Sequence, residues 1–281
     1  MADAAFAGFE SKWIAALPEF GLALRFVDPA NRTARAALAC IGYEIEHAAS
    51  HIGEAEVAAG KLRWWLEELD AFAAGAPRHP LTRALAAEVD ARRVPHASWH
   101  GVIAAALARL DDTPATTLDA LLDAHRDLHR HLAEAGRALF ADDAVAVVAE
   151  AGALRRILRD AFAAAHADVP SRLVLPLELL ARHRLTRADL AITSPSREAA
   201  LREFAALLAV RLDAIDRAVL PVIDAVAVHA ERARCGKLAR AREPLRLAAS
   251  AFTQLPLSAA WQGWRAARRH AHAALLSGTR R

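Results

Sequence analysis

The chain has 281 residues, of which 55% are apolar, and its formal net charge of +3 comes from interspersed acids and bases. This composition builds a core of one large or two small domains and lacks the overall basic excess of a nucleic-acid-binding protein. The apolar residues are mostly Ala and Leu, with nine Phe and one Tyr, which favours helix.

Membrane, secreted and disulfide-rich classes are excluded by pattern. No run of roughly 18 apolar residues is free of charge, so no membrane span is predicted. Asp3, Glu10 and Lys12 interrupt the apolar N-terminus, which therefore lacks the order of a secretory signal. Cys40 and Cys235 fit reduced core residues better than a disulfide framework. We expect a cytoplasmic protein.

Helical periodicity runs from end to end and is interrupted by prolines and glycines. Breaks are expected at Pro18, Pro29, Gly75 to Pro80, Pro95, Pro114, Pro170, Pro176, Pro195, Gly236 and Pro256. They predict about ten helices in one all-α domain over residues 1–281, with a flexible basic tail at about 277–281. Thr113 and Ser194, each followed by proline, are predicted N-caps. The pattern Arg197–Ala230 predicts one helix kinked at Pro221.

Two segments carry a resemblance to a known family. One is Gly-Lys-Leu-Arg-Trp-Trp-Leu-Glu-Glu-Leu at 60–69, followed by Gly-Ala-Pro-Arg-His-Pro-Leu-Thr-Arg-Ala-Leu at 75–85. The other is Arg-Leu-Val-Leu-Pro-Leu-Glu-Leu-Leu-Ala-Arg-His at 172–183. This order of residues resembles the squalene/phytoene synthases. The resemblance implies a single-domain helical bundle of the isoprenoid (terpenoid) synthase type with a central apolar cavity.

The resemblance also implies two facing helices that present aspartates to the cavity, where Mg²⁺ bridges them to substrate phosphates. The segment Tyr43-Glu-Ile-Glu-His-Ala-Ala-Ser50 is similar to the first of these motifs. Glu46 stands in the first Asp place, and His47 and Ser50 replace the others. Most of the carboxylates that the first motif needs are therefore missing.

The second motif is similar to Arg155-Arg-Ile-Leu-Arg-Asp160. Arg159 and Asp160 match the family, whereas Arg156 occupies an Asp or Asn place. Arg156 and Asp160 are four residues apart, so we expect them to pair and to disfavour a cation there. Glu46 and Asp160 remain as residual metal candidates, and no metal or other cofactor is predicted.

Half-retained motifs favour a non-catalytic protein, as in the branch of the family that includes a mitochondrial complex I assembly factor. No catalytic residue is predicted. The residues expected to line the cavity or bind a ligand are Tyr43, Glu46, His47, Ser50, Arg156, Arg159, Asp160 and Arg172. The expected partner is an isoprenoid or other lipid-like ligand, or a protein. A further hypothesis places Arg155, Arg156, Arg159 and Arg172 against a phosphate or carboxylate head group.

The alternative is a Mg²⁺-dependent transferase that joins two prenyl diphosphates head to head. In that case Glu46, Asp160 and Glu44 would hold fewer metal ions, and Arg159 and Arg172 would hold diphosphate. Glu44-x-x-His47 also has the spacing of di-metal bundles, but no second Glu-x-x-His accompanies it. A hydrogen-bonded core role is expected for His125.

The tryptophans and arginines of the C-terminal region are not assigned to a functional site. Trp261 and Trp264 are expected to pack in the core, although an exposed pair would indicate a partner surface. Basic residues concentrate at Arg232, Arg234, Arg240 and Arg242, and again at Arg265, Arg268, Arg269, Arg280 and Arg281. We interpret them as solvated helix faces and a frayed end. Contact with a membrane is expected to be peripheral at most.

Overall fold

The structure is a computed structural model that describes residues 2–111, 113–164 and 174–278. These residues form thirteen α-helices and two short 3₁₀ helices, with no strand among them. The helices are α1 (Ala2–Ala16), α2 (Pro18–Leu24), α3 (Pro29–His51), α4 (Ala55–Ala73), α5 (Pro80–Glu88), α6 (His96–Ala108), α7 (Leu118–Phe140), α8 (Val145–Ala164), α9 (Leu177–Arg182), α10 (Pro195–Ala214), α11 (Val222–Arg240), α12 (Pro244–Ala251) and α13 (Ser258–Gly278). The predicted all-α class is confirmed. More helices form than the ten expected because α2, α9 and α12 have only six to eight residues.

Local sequence sets several helix starts as predicted. Proline occupies the first turn of α2, α3, α5 and α10, where its missing N–H removes no intrahelical bond. Pro244, which was not among the expected breaks, starts α12 in the same way. The Ser194 side chain caps α10 by accepting from the Arg197 amide. Thr113, by contrast, does not cap a helix, because α7 begins at Leu118 and its cap is Thr117.

The predicted kinked helix over Arg197–Ala230 is two helices. α10 ends at Ala214, and α11 starts only at Val222, with Pro221 as its N-cap residue. The apolar periodicity continues through the connection because Ile215 and Leu220 are buried there. The apolar pattern therefore predicted a helix through residues 215–221, where the backbone is not helical.

The two long helices α7 and α8 pack against each other at the centre. α6 covers α7, α10 and α11 pack together, and α11 also contacts α2, α8 and α13. Glycines bring the central helices close: a Cβ on Gly42 of α3 would lie 3.0 Å from Leu132, and one on Gly152 of α8 would lie 2.6 Å from His129 Nδ1. Most of the buried apolar residues form one contiguous cluster.

Single residues show how the helices divide core from surface. Trp65 is buried and its neighbour Trp64 is 41% exposed, since adjacent helical residues point in different directions. Cys40 and Cys235 are buried free thiols, as predicted. Of the helices in the described ranges, none has the length and apolar character needed to cross a bilayer. α13 reaches Gly278, and the remainder of the predicted basic tail lies outside the described residues.

Candidate functional site

Arg156 and Asp160 form the ion pair that their spacing predicts. Arg156 Nε donates to Asp160 Oδ2 at 2.8 Å, and the two side chains are 8% and 12% exposed. On the other side, Arg156 Nη1 lies 3.8 Å from Glu46 Oε2 on α3. The guanidinium therefore lies between the two carboxylates that the sequence offered as metal candidates.

A second arginine reaches Asp160 from α6. Arg109, the residue that ends this helix, places Nη2 3.5 Å from Asp160 Oδ2 and donates from the same nitrogen to Ser50 Oγ at 3.0 Å. Burial would raise the pKa of Asp160, but the charge of Arg156, with hydrogen bonds and Arg109, holds it well below its ordinary range. Asp160 is therefore a buried carboxylate that stays ionised.

Glu46 has a neutral partner on α7. His129 Nδ1 lies 3.3 Å from Glu46 Oε1, with both side chains nearly buried. Burial, followed by the charges of Arg155 and Arg109, holds the pKa of His129 well below its ordinary value. The ring is thus neutral at physiological pH, and its Nδ1–H can donate to the carboxylate. Gly152 makes room for this ring, because any Cβ there would collide with it.

Aromatic side chains continue the site along α3. The rings of Tyr43 and His47 lie 6.0 Å apart, and those of His47 and His51 lie 4.6 Å apart. His51 Nδ1 lies 3.5 Å from Arg156 Nη2 and can accept from it. Burial and the charge of Arg156 lower the pKa of His51 to about 4, so this ring is a neutral acceptor at physiological pH. Tyr43, His47 and His51 therefore follow one face of α3.

A cavity of about 140 Å³ lies beside this cluster, between α1, α2, α3, α7, α8 and the start of α11. Its apolar walls include Trp13, Leu17, Phe20, Leu38, Leu132, Phe140 and Val148. Tyr43, Glu46 and His129 join the cavity to the polar cluster, and Arg155 and Asp224 add charged groups. Arg155 therefore faces the cavity, whereas Arg156 faces Glu46 and Asp160, because adjacent residues on a helix point in different directions.

Comparison with known proteins decides the family. The family model of squalene/phytoene synthases matches residues 16–255.

The chain belongs to the squalene/phytoene synthase family.

Two solved structures from this family share the fold. A dehydrosqualene synthase crystallised in complex with a ligand is 13% identical, with 97% of this chain and 98% of that chain covered and a TM-score of 0.66. Squalene synthase HpnC from Alicyclobacillus acidocaldarius is 15% identical, with 89% and 95% covered and a TM-score of 0.61. These matches confirm the predicted isoprenoid synthase fold and, at such identities, the fold alone. No curated protein matches the chain in sequence.

Arg159, which matches the second motif of the family, lies in a separate buried network. It binds Glu19 Oε1 at 2.7 Å and Glu231 Oε1 at 2.9 Å, while Arg234 binds Glu19 Oε2 at 2.9 Å and Glu231 Oε1 at 3.1 Å. Arg234 Nε also donates to the Ala251 carbonyl. This network ties α2, α8 and α11 together, so the structure does not bring Arg159 to Arg156. Arg172 lies outside the described residues.

Glu44 is also removed from the cluster around Asp160. Lys12 Nζ binds it at 2.6 Å and Lys61 Nζ lies at 3.5 Å, which pairs this carboxylate with surface lysines. Within the described part of the chain, three His, Cys, Asp or Glu donors come close enough to share one ion only at Asp70, His96 and His100. That group lies at the surface of α4 and α6 and does not include Glu46 or Asp160.

Sequence reasoning missed two groups of this site, Arg109 and Asp224. Arg109 was visible as the one charge within the apolar run Val102–Leu110, which is the usual sign of a buried ion pair. His125 behaves as expected, since its Nδ1 hydrogen-bonds to the Leu121 carbonyl at 2.9 Å. Arg155 and Asp224 had no local signal that they face one cavity, because they lie on different helices.

Proposed function

We propose that this member of the squalene/phytoene synthase family has no metal-dependent transferase activity and binds an amphipathic, isoprenoid- or lipid-like molecule in its cavity. The position of Arg156 between Glu46 and Asp160 carries this proposal. Arg156 faces both residual carboxylates and, with Arg109, balances their charges at the place where the resemblance to the family implies bound cations.

The donor set around Arg156 does not fit Mg²⁺. This ion requires several hard oxygen ligands in near-octahedral geometry. Here Asp160 is already engaged by Arg156 and Arg109, and Ser50 accepts from Arg109. A dication placed between Glu46 and Asp160 would meet a buried guanidinium, whose repulsion is weakly screened in the interior.

The cavity supports the second half of the proposal. Its walls are mostly aliphatic and aromatic side chains, which suit a hydrocarbon chain. Arg155 offers a guanidinium for a phosphate or carboxylate head group. Its Cζ lies 5.0 Å from the centre of the Phe20 ring. At about 140 Å³ the cavity accommodates part of such a ligand.

Restoring acidic groups tests the metal part of the proposal. Melting temperatures are measured with pyrophosphate, with and without Mg²⁺, for the wild type and for the double variant Ser50→Asp/Arg156→Asp. We expect no Mg²⁺-dependent rise in the wild type and a rise in the double variant, because ligands that bind only the folded state stabilise it. Arg63→Asp, at an exposed position of α4, controls for replacing an arginine by an aspartate outside the site.

Product analysis distinguishes the alternative. Wild-type protein incubated with Mg²⁺ and farnesyl or geranylgeranyl diphosphate should give no head-to-head product. Such a product, together with a Mg²⁺-dependent rise in melting temperature, would establish the transferase and overturn the proposal.

The ligand part is tested separately with farnesyl phosphate. Trp13 lines the cavity, so binding should change the tryptophan fluorescence. Arg155→Gln should weaken binding of farnesyl phosphate and leave binding of farnesol unchanged, whereas Arg63→Gln should affect neither. If Arg155→Gln binds farnesyl phosphate as tightly as the wild type does, Arg155 does not bind the head group.

A further inference from the structure

α13 exposes its tryptophans, contrary to the core position expected for them. Trp261 is 55% exposed and Trp264 is 40% exposed, and their rings stack with centroids 4.6 Å apart. Leu257, immediately before the helix, is 98% exposed. Trp261 and Trp264 are three residues apart and share one face of α13, and Leu257 lies next to the start of the same helix.

The reason is that α13 buries its smallest residues instead. Ala259 and Ala266 are fully buried, and a Cβ on Gly263 would lie 2.4 Å from Phe26 Cδ2. The backbone of α13 thus approaches the rest of the protein too closely for a large side chain on that side. The tryptophans cannot turn inward, since the close contact fixes the rotation of the helix.

Two polar contacts hold α13 in this orientation. His229 Nε2 and Ser258 Oγ are 2.7 Å apart, and Arg269 Nη2 donates to the Arg217 carbonyl at 3.0 Å. Because the helix is held by its small-residue face and by these contacts, the exposed tryptophans are not needed to attach it. Their exposure is a feature of the fold, and it leaves them available to a partner.

Basic charge surrounds the two tryptophans. The Arg268 guanidinium lies 4.9 Å from the centre of the Trp264 ring, and Arg265 is exposed beside it. After Glu243 the sequence contains six arginines and no Asp or Glu. A partner of this surface is therefore anionic and also accepts large aromatic side chains.

We propose that Leu257, Trp261, Trp264, Arg265 and Arg268, here named the α13 patch, bind the surface of an anionic lipid bilayer. Tryptophan is favoured at the level of lipid head groups, and arginines are attracted to anionic lipid phosphates. These five residues are far fewer than the roughly 20–30 per side of a stable protein interface. The surface of a bilayer needs no shape complementarity, and therefore a patch of this size suffices.

Co-sedimentation with lipid vesicles tests this proposal. The full chain is mixed with phosphatidylcholine vesicles that contain or lack phosphatidylglycerol. We expect binding only to the anionic vesicles and release by salt, because screening weakens the arginine contribution. Trp261→Ala/Trp264→Ala should abolish binding. Arg265→Gln/Arg268→Gln should lower the affinity by roughly tenfold or more, since each charge near an anionic surface contributes appreciably.

The control is Trp64→Ala, which removes another half-exposed tryptophan on α4 and should leave vesicle binding unchanged. Melting temperatures of the α13 variants should stay close to that of the wild type, which separates lost binding from lost folding. The proposal is overturned if the wild type ignores anionic vesicles or if Trp261→Ala/Trp264→Ala binds them equally well. Tryptophan-dependent self-association without vesicle binding would assign the patch to a second copy and also overturn it.

Discussion

Arg156 donates from Nε to Asp160 Oδ2 at 2.8 Å, one helical turn further along α8. Both side chains are buried, and the same guanidinium faces Glu46 across the gap to α3. Together with Arg109, which lies 3.5 Å from Asp160, Arg156 balances the charges of these two carboxylates. The contacts that pair these buried charges are also the basis of our proposal that the cluster holds no dication.

Removing the guanidinium should destabilise the protein. Arg156→Leu leaves Asp160 buried with Arg109 as its remaining arginine, and we expect the free energy of unfolding to fall by about 3 kcal/mol. Urea denaturation at neutral pH measures it. Adding Asp160→Leu should recover only part of the loss, because Arg109 then loses its contact with Asp160. If Arg156→Leu alone is as stable as the wild type, the role assigned to Arg156 is refuted.

The second buried network predicts acid sensitivity. Burial alone would raise the pKa of Glu19, but Arg159 and Arg234 hold it below its ordinary value. A carboxylate whose pKa is lower in the folded than in the unfolded state stabilises the fold at pH values above its pKa in the unfolded state. This stabilisation is lost as the pH falls through its pKa in the folded state. Glu19→Gln should therefore cost about 3 kcal/mol at pH 7, and the difference should shrink below roughly pH 4. A difference that does not depend on pH would contradict this account.

Asp224 should show the opposite dependence on pH. Burial, with Asp142 nearby, raises its pKa to about 6, although Arg155 and Arg35 act against the shift. A carboxyl with a raised pKa destabilises the fold as pH rises from the unfolded to the folded value, here from roughly 4 to 6. Asp224→Asn should thus stabilise the protein by up to about 2 kcal/mol at pH 7 and have little effect at pH 4. Thermal unfolding at both pH values measures this, and an equal effect at both would rule out the titration.

Gly152 should be intolerant of any side chain. A Cβ at this position would lie 2.6 Å from His129 Nδ1, so Gly152→Ala must move the ring that contacts Glu46. We expect a loss of about 1–3 kcal/mol by chemical denaturation. Gly60→Ala is the matched control, because Gly60 is helical, exposed and has open space around it. That variant should gain about 0.5–1 kcal/mol from helix propensity. A stabilised Gly152→Ala would contradict the packing argument.

Much of the fold follows from local chemistry in the sequence. Ser194 caps α10 because its oxygen lies close to the amide three residues later. Trp64 and Trp65 separate into surface and core because neighbours on a helix point apart. The prediction failed at Pro221, where buried residues of a connection continued the helical stripe although the backbone left the helix.

By itself the sequence determined the all-α class, the family and the Arg156–Asp160 pair, because each depends on residues that are near one another in the chain. Only the tertiary structure decided which distant groups complete the site: Arg109 reaches Asp160 from α6, whereas Arg159 turns to Glu19 on α2. It also decided that Trp261 faces outward, since the approach of α13 at Gly263 depends on the shape of the surface beneath it. Spacing along a helix fixes which side chains share a face, and packing between helices fixes what that face meets.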